Sequence, residues 1–175
     1  KDIDEETQVA LAYVGNFYDS AAGKDMALTQ YQNGADVGFN VAGSAGLGQI
    51  EAAVDAKRYA FGVDSDQAAV LPDYAANIPT SALKNVGNSL VRAIKEDMEG
   101  NLAYGTLEYL GLADGGVELV EDEHYEETVP EDIRTKVEEL KQDIIDGKIT
   151  VPTTLGDDAM SPDDVQALID SAKLS

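Results

Sequence analysis

Between residues 8 and 63 the chain alternates short apolar runs with helical patterns, and few folds accept that alternation. Residues 8–14 (Gln-Val-Ala-Leu-Ala-Tyr-Val) are a short apolar run of the kind that fills a strand buried on both faces. Residues 21–32 then place Met26, Ala27 and Tyr31 at helical spacing, and Asn33-Gly34 supplies a stop. A second strand follows at 35–42, a glycine-rich turn at 43–48, a helix at 50–56 and a third strand at 59–63. The order β-α-β-α-β predicts an α/β fold, an open parallel sheet flanked by helices.

Beyond Asp64 the pattern predicts a short fourth strand at 78–83. Val86, Leu90, Val91, Ile94 and Met98 mark an amphipathic helix over 86–98. Residues 105–120, rich in Leu, Tyr and Val with Gly111 and Gly115-Gly116 inserted, predict two strands joined by a turn. A charged helix is expected at 130–145, with Ile133, Val137, Leu140 and Ile144 on one face. Ser161-Pro162-Asp163-Asp164 predicts the N-cap and first turn of a last helix reaching residue 172.

Charge divides the chain. Residues 1–100 hold 15 acidic and 7 basic side chains, and residues 101–175 hold 19 and 5. The expected organisation is therefore a ligand-binding α/β lobe over 1–100 and a more solvated, acidic extension of strands and helices over 101–175. A net charge of −22 makes nucleic acid and anionic membrane surfaces poor partners. No run approaches the roughly 18 apolar residues of a spanning helix. The chain opens on Lys-Asp-Ile-Asp-Glu-Glu without Met, which suggests a mature chain or an excised fragment.

In an open α/β sheet, ligands bind at the carboxyl ends of the strands. Four segments fall there: 16–19, 43–48, 64–67 and 81–84. The turn from Gly43 (Gly-Ser-Ala-Gly-Leu-Gly) is neither the dinucleotide fingerprint nor a phosphate loop. It is either a tight strand-to-helix connection or a backbone that approaches a ligand. Asp64 and Asp66 read as carboxylates for ligand hydroxyls rather than as a metal pair, since no third acid or histidine follows nearby. Phe17 is either a packed loop residue or a platform for a flat ring. Lys84 either is solvated, reaches a ligand oxygen or pairs with a carboxylate.

Nothing in the sequence supports catalysis. There is no Cys, which also removes disulfides and thiolate metal sites. The single histidine, His124, lies in an acidic stretch (121–127) expected to be a solvated loop without a triad-like context. Neither a metal nor a cofactor is called for.

The same segments carry a family resemblance. Val14-Gly15-Asn16-Phe17-Tyr18-Asp19 with Gly23-Lys24, then Gln32-Asn33-Gly34-Ala35-Asp36-Val37, then Val41 through Gly48, then Gly62-Val63-Asp64-Ser65-Asp66-Gln67, then Ser81-Ala82-Leu83-Lys84-Asn85-Val86 resemble the basic membrane protein family. Tyr109-Leu110-Gly111-Leu112, Gly115-Gly116-Val117 and Val129-Pro130 resemble its C-terminal part. The resemblance implies the C-terminal lobe of a type I periplasmic-binding fold, lacking the N-terminal lobe that is its partner. It implies an extracytoplasmic solute-binding component of an ABC importer, held at the cell membrane by an N-terminal lipid and serving a permease. The implied ligand is a purine nucleoside, with Phe17 stacking on the base and Gly43 contacting it through its backbone. Asp64, less surely Asp66, would grip the ribose, and Lys84 would complete the polar set. Ser44 stands where many members have a second glycine. The ligand-sensing domain of a transcription regulator, which shares this fold, is the alternative.

Overall fold

A computed structural model describes residues 7–155 and 159–172. Four strands make one sheet in the order β1 (Val37–Phe39), β2 (Tyr59–Asp64), β3 (Ser81–Lys84) and β4 (Val117–Leu119). β1, β2 and β3 are parallel, and β4 runs antiparallel to β3. The sheet is therefore mixed: β1 to β3 form the expected parallel sheet, and β4 adds an antiparallel edge. β4 reverses because it follows a loop that is tied to the end of β3: Asn85 donates its backbone N–H to Gly116 O (2.9 Å) and its side-chain N–H to Gly115 O (3.1 Å).

Helices α1 (Ser20–Gln32) and α2 (Gly46–Ala56) pack on the sheet and on each other. Asp19 begins α1 by accepting the Ala22 N–H at 3.0 Å, an ordinary carboxylate N-cap. The core is mostly small: Ala27, Tyr31, Ile50, Ala52, Ala53, Ala60 and Ile78 are buried together. Small side chains bring the helices close, and Gly48 makes the closest approach. A Cβ at Gly48 would sit 2.0 Å from Ser20 O and 2.5 Å from Lys24 N, both backbone atoms of α1. At the solvent edge of the same contact, Lys24 pairs with Asp55 (2.8 Å) and Glu51 (3.4 Å). The opposite pleat of the sheet, with Val37, Phe39 and Tyr59, is exposed.

The remaining elements are the single turn α3 (Gln67–Val70), α4 (Val86–Glu99), α5 (Glu123–Thr128), α6 (Glu131–Ile145) and α7 (Pro162–Ala172). Helix α4 forms where the periodicity places it, yet Val86, Leu90, Val91, Ile94 and Met98 are all more than half exposed. Among the described residues, no helix is long and apolar enough to cross a membrane.

Three local expectations fail. Residues 8–14 are not a strand; only Val9 makes a bridge, and Val9, Leu11 and Tyr13 are exposed. An apolar run becomes a buried strand only where neighbours cover it on both faces, and here the Ala10 carbonyl instead accepts a side-chain N–H of Gln30 (3.3 Å). Residues 105–120 hold one strand rather than two. Arg92 of α4 draws the preceding loop aside by pairing with Glu108 (2.5 Å) and Asp114 (3.4 Å), so side-chain ties take the place of a ladder. The acidic stretch keeps its carboxylates exposed, as expected, but it is a helix rather than a loop. Asp122 caps α5 by accepting the Tyr125 N–H (2.9 Å), Tyr125 is buried, and Glu121 pairs with Lys141 (2.8 Å). His124 Nε2 lies 3.0 Å from the Ile78 carbonyl, so the ring is docked rather than solvated.

Two outcomes are expected. Alanine is the better helix former by about 1 kcal/mol, so a free α2 would gain from Gly48→Ala. Inside this contact the added methyl should instead cost about 2–3 kcal/mol by urea denaturation, because backbone atoms cannot move aside. Burial pushes the Tyr31 phenol, which donates to Tyr59 O at 2.9 Å, from 10.0 up to about 12. The folded state thus holds this proton more tightly than the unfolded one. The associated stability is complete below pH 10 and is lost as pH rises towards 12. Tyr31→Phe should flatten the fall in denaturation midpoint across that window.

Candidate functional site

The parallel order of β1, β2 and β3 sends their carboxyl ends to one edge, and the residues singled out by sequence gather there in two pairs.

The first pair is Phe17 and Gly43. Asn16 Oδ1 accepts the N–H groups of Tyr18 (3.0 Å) and Asp19 (2.8 Å), a side-chain-closed turn that shapes the loop before α1. The Phe17 carbonyl then accepts the Ala45 N–H (3.2 Å) from the 3₁₀ turn Gly43–Ala45, which runs directly into α2. Gly43 has φ +56°, and a Cβ there would lie 3.0 Å from Phe17 O and 3.3 Å from Phe17 Cβ. Glycine is needed on both counts, conformation and space. The Phe17 ring is left 72% exposed, a packed base carrying an open face. One of the turn's amides, that of Ala45, is spent on holding Phe17.

Asp64 and Lys84 form the second pair, at the ends of β2 and β3. Lys84 Nζ lies 2.8 Å from Asp64 Oδ1, and both side chains are more than half exposed. Such a pair contributes at most about 1 kcal/mol to stability. Asp64 is also one of two non-glycine residues with positive φ among the described residues, at +68°. A non-glycine residue in that region costs energy, least for Asp and Asn. The pair marked as carboxylates by sequence does not act together: Asp66 turns away and caps α3, its Oδ1 accepting the Ala69 N–H at 3.1 Å.

Sequence reasoning gave no role to the polar groups behind these pairs. Asn40, buried just past β1, donates to Phe61 O at 3.3 Å. Gln67 Oε1 accepts the Val63 N–H at 2.9 Å, and the Gln67 N–H donates to the hydroxyl of buried Ser81 at 3.1 Å. A serine opening a short strand and a glutamine three residues past a strand end were the available signals. Neither stands out without the contacts.

The family model for the PnrA-like ABC transporter substrate-binding proteins, Bmp, matches residues 1–154. The chain belongs to that family. Its members are substrate-binding components of ABC transporters, not enzymes. The ABC transporter nucleoside-binding protein BmpA of Lactococcus lactis subsp. cremoris is 32% identical over 168 residues, covering 87% of this chain and 46% of that protein. Among solved structures, a solute-binding protein of an ABC transporter system from Aeropyrum pernix K1 superposes with a TM-score of 0.75 at 26% identity, over 92% of this chain and 50% of the other. A transcriptional activator of the comK gene from Bacillus halodurans gives 0.67 at 26% identity, over 76% and 44%. The chain thus spans about half the length of the relatives it matches. The two residue pairs, Phe17 with Gly43 and Asp64 with Lys84, are the groups this fold sets at its strand ends.

The energetics of Asp64 separate its carboxylate from the fold. Asp64→Gly removes the ion pair but relieves the positive φ, and should leave the thermal midpoint unchanged or raised. Asp64→Ala loses the pair and keeps the strain, and should cost on the order of 1 kcal/mol. Calorimetric unfolding of both variants checks the order.

Proposed function

We propose that this chain is the C-terminal lobe of a two-lobed receptor that binds purine nucleosides for an ABC importer. The observation that carries the reading is the single edge bearing an open aromatic face at Phe17 and a paired carboxylate and ammonium at Asp64 and Lys84. A nucleoside is neutral and two-ended. Its base needs a flat, polarisable surface, and its ribose needs acceptors for neighbouring hydroxyls. Gly43 keeps the backbone low enough for the base to lie on Phe17. Lys84 holds the Asp64 carboxylate and itself donates to a ligand oxygen, while Asp66, engaged as a cap, is the weaker candidate for the ribose. The nucleoside-binding Lactococcus relative supports the ligand class.

A single lobe supplies one wall. Pockets of this kind bury most of their ligand between two, so binding belongs to the protein that also carries the first lobe. In this reading residues 1–100 form the ligand-binding lobe and residues 101–175 an extension that returns towards the first. The whole receptor sits outside the cytoplasm, anchored by an N-terminal lipid, and delivers to a permease. The likeness to the Bacillus halodurans activator favours a second reading, a ligand-sensing domain of a regulator. The two separate on one measurement: the importer reading requires nucleoside uptake that depends on this gene, and the regulator reading requires ligand-dependent DNA binding by the full-length protein.

Stacking by Phe17 makes a graded prediction for the two-lobed receptor titrated with inosine or guanosine. Phe17→Tyr keeps the face and should retain most affinity. Phe17→Leu keeps bulk without the face and should lose about 1–3 kcal/mol, roughly ten- to hundredfold in Kd. Equal affinity for Leu and Phe would make the residue a packing element only.

A further inference from the structure

The strained turn at Asp64 is held from behind, not by its own side chain. Asp64 sits at φ +68°, and the Ser65 N–H donates to Val63 O across it at 2.9 Å. That is a three-residue turn of the positive-φ kind, which is rare because it is strained. The Asp64 carboxylate reaches only Lys84, in an exposed pair too weak to hold a backbone in a costly conformation.

The strand order explains what does. In parallel pairing, alternate residues address opposite neighbours. Gly62 donates to Thr80 O at 3.0 Å, on the β3 side, so the Val63 N–H faces the β1 side. There the last pair is Phe39 with Phe61, and β1 has ended before it can offer Val63 a carbonyl. Two side-chain amides stand in for the missing strand. Asn40 donates to the Phe61 carbonyl, and Gln67 Oε1 accepts the Val63 N–H at 2.9 Å. Gln67 is itself fixed: its backbone N–H donates to Ser81 Oγ at 3.1 Å, Ser81 is 1% exposed, and the Gln67 Cβ lies 3.0 Å from where a Cβ on Gly62 would be. The clamp runs from β3 through Gln67 to Val63, the residue whose carbonyl closes the turn.

We propose that Gln67 is the positioning residue of the Asp64 carboxylate, its Oε1 holding Val63 so that the turn aims Asp64 at the ligand; this rests on the nucleoside reading for what Asp64 grips. Gln67 touches no ligand. Its action passes through one hydrogen bond, and the acceptor matters more than the bulk. Gln67→Leu keeps the shape and leaves the Val63 N–H unpaired. Gln67→Glu keeps an oxygen acceptor at the same reach.

Two measurements test this. In the isolated chain, amide hydrogen exchange by NMR should show the Ser65 N–H exchanging at least tenfold faster in Gln67→Leu and at the wild-type rate in Gln67→Glu. In the two-lobed receptor, calorimetry with inosine should show affinity lowered about tenfold or more by Gln67→Leu and recovered by Gln67→Glu. Gln67→Ala replaces the Leu variant if that one does not fold. Unchanged Ser65 exchange in the variant lacking the acceptor overturns the clamp. So does a loss of affinity that Glu fails to rescue, since that would be a packing defect. A wild-type receptor that binds no purine nucleoside, or an Asp64→Ala variant that binds as wild type, overturns the nucleoside reading instead, and the Ser65 exchange rate then decides the clamp alone.

Discussion

The site edge depends on how closely α1 lies against α2. Gly48 lets backbone meet backbone, and the alanine core beneath leaves both helices seated on one face of the sheet. Helix α2 carries the chain from β1 to β2, α3 and the 3₁₀ turn after it carry it from β2 to β3, and the three strands run parallel. Parallel strands in turn bring all their carboxyl ends to a single edge. Phe17 joins that edge because its carbonyl is bonded to Ala45 at the entry to α2. A shift of α2 against α1 would therefore move the aromatic platform as well as the core.

At the edge itself, the sheet runs out before the chain does. β1 stops at Phe39 while β2 continues to Asp64, and the exposed backbone groups of β2 must find partners. Asn40 and Gln67 provide them. The arrangement lets one residue, Asp64, take a conformation that an ordinary strand end would not keep. Its ion pair with Lys84 is exposed and weak, so the pair adds little to holding that conformation.

The surfaces away from the edge have a different character. The pleat bearing Val37, Phe39 and Tyr59 and the stripe along α4 are apolar and open. The chain spans 42% and 46% of two relatives it matches.

Periodicity and capping residues were enough to place α1, α2, α4, α6 and α7, the strands β1 to β3, and Gly43, Asp64 and Lys84 at or past strand ends, whereas Phe17 reaches that edge through its bond to Ala45, since 8–14 forms no strand. Those features follow from local spacing and from the handedness of crossovers, which a sequence carries. Pairing partners are not local. Residues 8–14 look like a strand but lack a covered place in the sheet; 105–120 look like a hairpin until Arg92 ties the loop to α4. The acidic stretch is solvated at its carboxylates, but only the fold shows that Asp122 caps a helix and that Tyr125 is buried. Asp64 and Asp66 are alike in sequence, two residues apart, and only the fold gives one a lysine and the other a helix cap. The chain determined which side chains reach the edge; tertiary structure decided which of them are already engaged, because a hydrogen bond between β2, α3 and β3 depends on where β1 ends.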